Sequence, residues 1–217
     1  MQAEKTIQTV IFDMDGVLID SEVIYLEDLL AFARTLNPKV QKSDILGTVG
    51  KTSKDTWEIM EAAIQSKKSW QELRQLYRNW SNVQDTVDYQ EIFRPEAAAV
   101  LKELKRRGYR LAVASSTHRQ LVLHVLFSNG VLDYFDTVVT GDMFARSKPD
   151  PEIYHYTART LGVREEQCFV LEDSTVGITA AHSAGMTVAA LIDERFGFDR
   201  SLADLEVETV GDILNYL

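Results

Sequence analysis

Cysteine is almost absent from this chain. Cys168 is the only one in 217 residues, so no intrachain disulfide can form and a reducing compartment is expected. No apolar run is long enough for a membrane helix, and the first is broken by Asp13 and Asp15. A basic stretch followed by a long apolar core is also missing at the N-terminus, so no signal peptide is expected and a cytoplasmic location is the default. Positive charge is in deficit. The 23 Lys and Arg face 33 Asp and Glu, a net charge of −10. That disfavours nucleic acid or an anionic membrane as main partner, because both need basic patches. Small anionic substrates sense only the local field and remain allowed. Internal repeats and low-complexity tracts are lacking. What is present is a 45% apolar chain of a length that suits one compact domain, or a domain with an insertion.

From Pro95 onward one pattern recurs: an amphipathic helix, a glycine, then a short apolar strand. Pro95 suits a first helical residue. The helix 96–107 places Val100, Leu101 and Leu104 on one face, with Gly108 as its stop. A strand 109–114 follows. The cycle repeats as helix 119–129 and strand 137–140, helix 151–161 and strand 168–171, helix 176–184 and strand 187–191. With the strand 9–11, this predicts an α/β fold, a doubly wound, Rossmann-like parallel sheet with helices on both faces. Residues 21–89 show no strand pattern. Leu26, Leu29, Leu30, Ala33 and Leu36 follow helical spacing, and further helices are expected over 53–65 and 69–83. The expected organisation is an α/β core of 1–20 and 90–217 with an all-helical insertion, 21–89. Trp57, Trp70, Tyr77 and Trp80 are expected to form that insertion's own core.

Polar residues gather where the strands end. Asp13 and Asp15 follow the first strand, Ser115-Ser116-Thr117 the next, Gly141-Asp142 and Lys148 a third, and Glu172-Asp173-Ser174 a fourth. In an open parallel sheet these ends form one ligand-binding edge. Close like charges such as Asp13 and Asp15 repel, and a fold tolerates them where a cation or a reaction offsets them. Carboxylate oxygens from Asp13, Asp15, Glu172 and Asp173 suit Mg²⁺. Ser115 and nearby N–H groups at a helix start suit a phosphoryl group, and Lys148 adds a positive charge. Taken alone, each piece also reads as a turn, a helix cap or a loop lysine. Four of them in order at strand ends are hard to explain as capping.

These residues resemble the haloacid dehalogenase superfamily of phosphotransferases. Its motifs stand in order as 12–22 (Phe12-Asp13-Met14-Asp15-Gly16 onward), Val113-Ala114-Ser115-Ser116, Lys148-Pro149-Asp150 through Tyr154, and Leu171-Glu172-Asp173-Ser174 through Ile178. The resemblance covers nearly everything outside the insertion, and the nearest branch is that of β-phosphoglucomutase and small-ester phosphatases. It implies a mobile helical cap at 21–89, hinged at 17–21 and 88–94. It implies Asp13 as nucleophile and Mg²⁺ ligand, and Asp15 as general acid and then base, its backbone carbonyl touching the metal. Ser115 and the backbone of Ser116 bind the phosphoryl group, Lys148 bridges it to Asp13, Asp173 ligates Mg²⁺, and Glu172 lies beside or just behind the ion.

The chain departs from the mutase pattern. Tyr25 stands where that branch carries a cap histidine, and 50–55 has no match for its cap arginine. A mutase must grip a second phosphate, for which Lys51, Lys54, His118 or Arg119 are the candidates. The expected activity is therefore Mg²⁺-dependent hydrolysis of a small phosphorylated metabolite, a sugar phosphate in first place, with phosphosugar mutase as the alternative. Dehalogenases and phosphonate-cleaving relatives lack the acid that Asp15 supplies, although Lys54 lies where the latter carry a Schiff-base lysine. A phospho-sensing module without turnover is the rival of a different class. It fits poorly because receiver domains place their aspartate after a middle strand. The expected partner is the metabolite alone, with no nucleic acid, no membrane and a monomer favoured.

Overall fold

Thr9–Phe12 forms β1, four buried residues rich in β-branched and aromatic side chains. The computed structural model describes residues 6–217; residues 1–5, part of the expected core segment 1–20, lie outside them. Five further strands follow: β2 (Arg110–Ser115), β3 (Thr137–Thr140), β4 (Cys168–Glu172), β5 (Thr187–Leu191) and β6 (Leu205–Val207). They form one sheet in the order β3-β2-β1-β4-β5-β6, and every pairing is parallel. The helices are α1 (Glu22–Leu36), α2 (Lys42–Ile45), α3 (Ser53–Ile64), α4 (Trp70–Trp80), α5 (Val83–Thr86), α6 (Ala97–Arg106), α7 (Arg119–Ser128), α8 (Glu152–Leu161) and α9 (Thr175–Ser183).

By contacts the chain divides into two compact units, Met1–Asp20 with Tyr89–Leu217, and Ser21–Asp88. The first is the α/β unit. Successive strand residues point to opposite faces, so Ile11, Ala112, Val139 and Val170 share one side. There they bury against Tyr154 and Ala158 of α8 and Ile178 and Ala181 of α9. Helices α6 and α7 pack along β2 and β3. The sheet order reverses between β1 and β4, which makes their carboxyl ends a topological switch point. Near the passage between units the chain pairs with itself. Ile19 bridges Phe93, and the Asp20 N–H donates to the Ile92 carbonyl at 2.9 Å.

The second unit is helical. Phe32, Trp57, Tyr77 and Trp80 form a ring cluster with centroids 5.3–6.5 Å apart. Trp70 is in none of these pairs, and Trp80 is 44% exposed, so the expected aromatic core is only partly a core. Phe32 is buried on α1 where Leu36 was expected; Leu36 is 40% exposed. The expected helix 69–83 starts at a capping box of Ser69 with Glu72 but stops at Trp80. Ser81 and Tyr77 both donate to Asp28 Oδ2 at 2.6 Å, and that contact turns the chain out of the helix. Pro95 does not open a helix either. The Arg94 N–H is tied to the Leu18 carbonyl, and α6 begins at Ala97. Strand β6 and the closing 3₁₀ turn Val210–Asn215 had no expectation at all.

Candidate active site

Strands β1 and β4 are neighbours with Phe12 opposite Leu171, and the Asp13 N–H donates to the Leu171 carbonyl at 3.0 Å. Alternation therefore puts Asp13 and Glu172 side by side, on the face that carries Ile11 and Val170. Both are buried, at 7% and 0% exposure. Lys148 reaches the same point from the loop between β3 and α8. Its Nζ donates to Asp13 Oδ1 at 2.6 Å, Glu172 Oε1 at 2.5 Å and the Ala114 carbonyl at 2.8 Å. These acceptors use all the donors an ammonium has. The Tyr154 hydroxyl on α8 donates to the same Glu172 Oε1 at 2.7 Å. Glu172 Oε2 accepts from the Asp173 N–H and the Ser174 hydroxyl at 3.2 and 3.4 Å. The first turn of α9 closes on this carboxylate. A Cβ on Gly177 would lie 2.0 Å from Glu172 Oε1, so only glycine fits there.

Burial pushes the Asp13 carboxyl up to about 8; Lys148 opposes this, while Glu172 and Asp15 add to it. Burial works against the Lys148 charge as well, but Asp13 and Glu172 more than offset it and hold that ammonium well above its usual range. The two shifts point in one direction. Several carboxylates surround one ammonium, so the lysine keeps its proton while Asp13 gains too little compensation to ionise freely.

The shortage of positive charge bears on metal binding. One carboxylate oxygen each from Asp13, Glu172 and Asp173 lies within 4.8 Å of the others. Three buried carboxyl groups share one ammonium, so the cluster has too little positive charge of its own to ionise fully, and hard oxygen donors are what a divalent cation takes. The donor set thus fits a divalent metal. Gly16 belongs to the same packing. Its φ is +78°, and a Cβ there would lie 2.0 Å from Asp173 Oδ2. The Asp15 carboxylate is not a member of this side-chain cluster. It is half-buried and accepts at Oδ2 from the Thr117 hydroxyl at 2.7 Å.

Ser115, the last residue of β2, is fully buried, and its Oγ accepts from the Thr117 N–H at 3.0 Å. Ser116 is exposed, with its carbonyl against Gly141. The capping alternative for Ser115-Ser116-Thr117 does not hold, because His118 caps α7, its Nδ1 accepting from Leu121 N–H. Arg119 donates from its side chain to the Val138 carbonyl and from its N–H to Asp142. Lys54 lies 3.5 Å from Glu58 on the exposed side of α3. Two contacts in the site had no expectation: Tyr154 on Glu172 and Thr117 on Asp15. Tyr154 carried a signal, a residue with a polar tip in the apolar stripe of Ala158 and Leu161. Thr117 carried none, being one polar loop residue among several.

An open parallel sheet with a buried carboxylate–lysine cluster at its switch point is the architecture of an α/β enzyme. Residues 10–191 match the family described as haloacid dehalogenase-like hydrolase, and the chain belongs to that family. Its curated relatives include a phosphorylated carbohydrates phosphatase of Thermotoga maritima, 31% identical over 91% of this chain and 88% of that protein. Another is the fructose-1-phosphate phosphatase YqaB of Escherichia coli, 28% identical over 81% of this chain and 92% of that protein. Among solved structures, a candidate β-phosphoglucomutase of Thermotoga maritima superposes with a TM-score of 0.73 at 29% identity, covering 97% of this chain and 98% of that one. No helix among the described residues is long and apolar enough to cross a membrane.

Proposed function

We propose that the protein is a Mg²⁺-dependent phosphomonoester hydrolase that acts on a small sugar phosphate through a phosphoryl-Asp13 intermediate. The observation that carries this reading is the Lys148 bridge between Asp13 and Glu172. That bridge supports Asp13 as the attacking group, and the Thr117 contact supports a different role for Asp15, whose carboxylate is not part of the acidic cluster. Asp13 and Asp173, with the Asp15 carbonyl, would hold Mg²⁺, which when bound supplies positive charge against the phosphoryl oxygens. Glu172, already accepting from Lys148, Tyr154, Asp173 and Ser174, acts by holding Lys148 in place.

In the first step Asp13 attacks phosphorus and the ester P–O bond breaks as Asp15 gives its proton to the leaving oxygen. Ser115 Oγ and the Ser116 N–H hold the phosphoryl oxygens, and Lys148 offsets their charge. Water then attacks the phosphorus of phosphoryl-Asp13 and gives its proton to Asp15, the Asp13 O–P bond breaks, and phosphate leaves with Asp13 restored as a carboxylate. The choice of a sugar phosphate rests on relatives named for phosphorylated carbohydrates and fructose 1-phosphate. Hydrolysis is favoured over mutase chemistry because three of the four candidates for a second phosphate, His118, Arg119 and Lys54, are engaged in a helix cap, an edge carbonyl and an ion pair.

The test is phosphate release from a panel of phosphorylated metabolites and p-nitrophenyl phosphate, with and without Mg²⁺. Asp13→Asn is expected to abolish release while leaving the circular dichroism spectrum unchanged. Retained turnover in that variant sinks the nucleophile assignment. One arm supplies glucose 1-phosphate with its bisphosphate, and conversion to the 6-phosphate without release would replace hydrolase by mutase.

A further inference from the structure

Arg94 reaches back to the loop that carries the first two aspartates. That loop closes on itself through the Met14 carbonyl, which accepts from the N–H groups of Val17, Leu18 and Ile19 at 2.8–3.2 Å. The Gly16 N–H goes to the Ile19 carbonyl at 2.8 Å. The Gly16 carbonyl is turned to Arg94, accepting from its Nη2 at 2.8 Å. Gly16 is buried, so losing that donor would strand the carbonyl. Arg94 is itself anchored further along the same loop, its N–H on the Leu18 carbonyl at 2.9 Å. Gly16 also lies against Asp173, with no room for a Cβ beside Oδ2. The glycine is thus held between a guanidinium and a carboxylate.

Resting on the reading of Asp13, Asp173 and the Asp15 carbonyl as the donors to Mg²⁺, we infer that Arg94 is a positioning residue that sets the affinity of this metal site. The Asp15 carbonyl belongs to the peptide that joins Asp15 to Gly16, and that peptide is planar and rigid. Fixing Gly16 therefore fixes that carbonyl relative to Asp173. Groups that hold metal ligands from behind commonly set affinity by about ten- to a hundredfold. Arg94 acts through Gly16, without itself offering an oxygen to the ion. A second arginine supplies the contrast. Arg195 grips Asp20 at 2.6 and 3.1 Å and the buried Asp193 at 2.6 Å. It anchors the same stretch of chain, but not the residue that packs on Asp173.

The probe is Mn²⁺, which takes the same hard oxygen donors as Mg²⁺. Protein stripped with EDTA is titrated with Mn²⁺, the free ion is read by electron paramagnetic resonance, and Mg²⁺ is added to displace it. Arg94→Met keeps an unbranched side chain without its donors and is expected to raise the Kd roughly tenfold or more. Arg94→Lys keeps a donor for the Gly16 carbonyl and should recover most of the loss. Arg195→Met should bind like the wild-type protein. Urea unfolding without the ion, run in parallel, separates the site from the scaffold. An unchanged Kd in Arg94→Met, whatever its urea midpoint, overturns the inference. So does an equal loss in Arg195→Met, which would make the effect one of general anchoring. If the wild-type protein takes up no Mn²⁺, the metal reading itself fails and the inference falls with it. Arg94→Ala replaces Arg94→Met if the methionine variant does not fold.

Discussion

Tyr154 shows how much one unanticipated residue can hold. It is fully buried, its ring centroid lies 5.1 Å from Lys148 Nζ, and its hydroxyl reaches Glu172. Burial and the adjacent Glu172 keep the phenol protonated far above its usual range, so it is a permanent donor. Phenylalanine would keep the ring and lose only that donor. Glu172 Oε1 would still accept from Lys148, so no acceptor is stranded. Tyr154→Phe is therefore expected to cost about 1–2 kcal/mol in urea unfolding. It should also lower kcat by loosening Glu172 beneath Lys148. An unchanged urea midpoint would show that the hydroxyl contributes nothing to the cluster. The main acids were legible without any structure, because Asp13, Glu172 and Asp173 each close a hydrophobic run. Tyr154 and Thr117 were not, because each is defined by a partner on another element.

At the scale of elements, the junction of β4 and α9 sets two effects against each other. Replacing a helical glycine by alanine ordinarily stabilises by about 0.5–1 kcal/mol. At Gly177 the new Cβ would meet a carboxylate tied down by Lys148 and Tyr154, at 2.0 Å. Overpacking of that kind costs about 1–3 kcal/mol and should win. Gly177→Ala is accordingly expected to lower the thermal midpoint and the activity together. A raised midpoint would mean that Glu172 moves aside easily. The helical unit carries the same lesson in its boundaries. Ser69 and Glu72 announce the start of α4 locally, whereas its end at Trp80 coincides with Asp28 receiving Tyr77 and Ser81. In α4 the local signal placed the start, and the stop coincides with contacts to α1.

At the scale of the whole molecule, folding gathers carboxylates from two separate strands into a buried site. Without a cation that gathering opposes stability, and Asp13 is raised to about 8 as a result. A divalent ion bound only by the native state stabilises it by mass action, about 2.7 kcal/mol at a hundred times its Kd. For a chain of this size that corresponds to a rise in thermal midpoint of roughly 5–10 °C. Mg²⁺ added to protein stripped with EDTA should produce this rise, and Asp173→Asn should remove most of it. An equal rise in the variant would place the ion elsewhere.

The sequence by itself determined the first five strands and helices α6 to α9 of the α/β unit, to within a few residues at their ends, and which acids stand at strand ends. Both are local properties: periodic burial, glycine stops, and a charge that cannot continue an apolar run. Only the tertiary structure decided that β1 lies between β2 and β4, that the sheet continues to β6, and that Thr117 and Tyr154 hold Asp15 and Glu172. The reason is physical. Short apolar strands are nearly interchangeable in composition, so their order is settled by long-range pairing and helix packing. A hydrogen bond between elements distant along the chain leaves no period in the sequence to read.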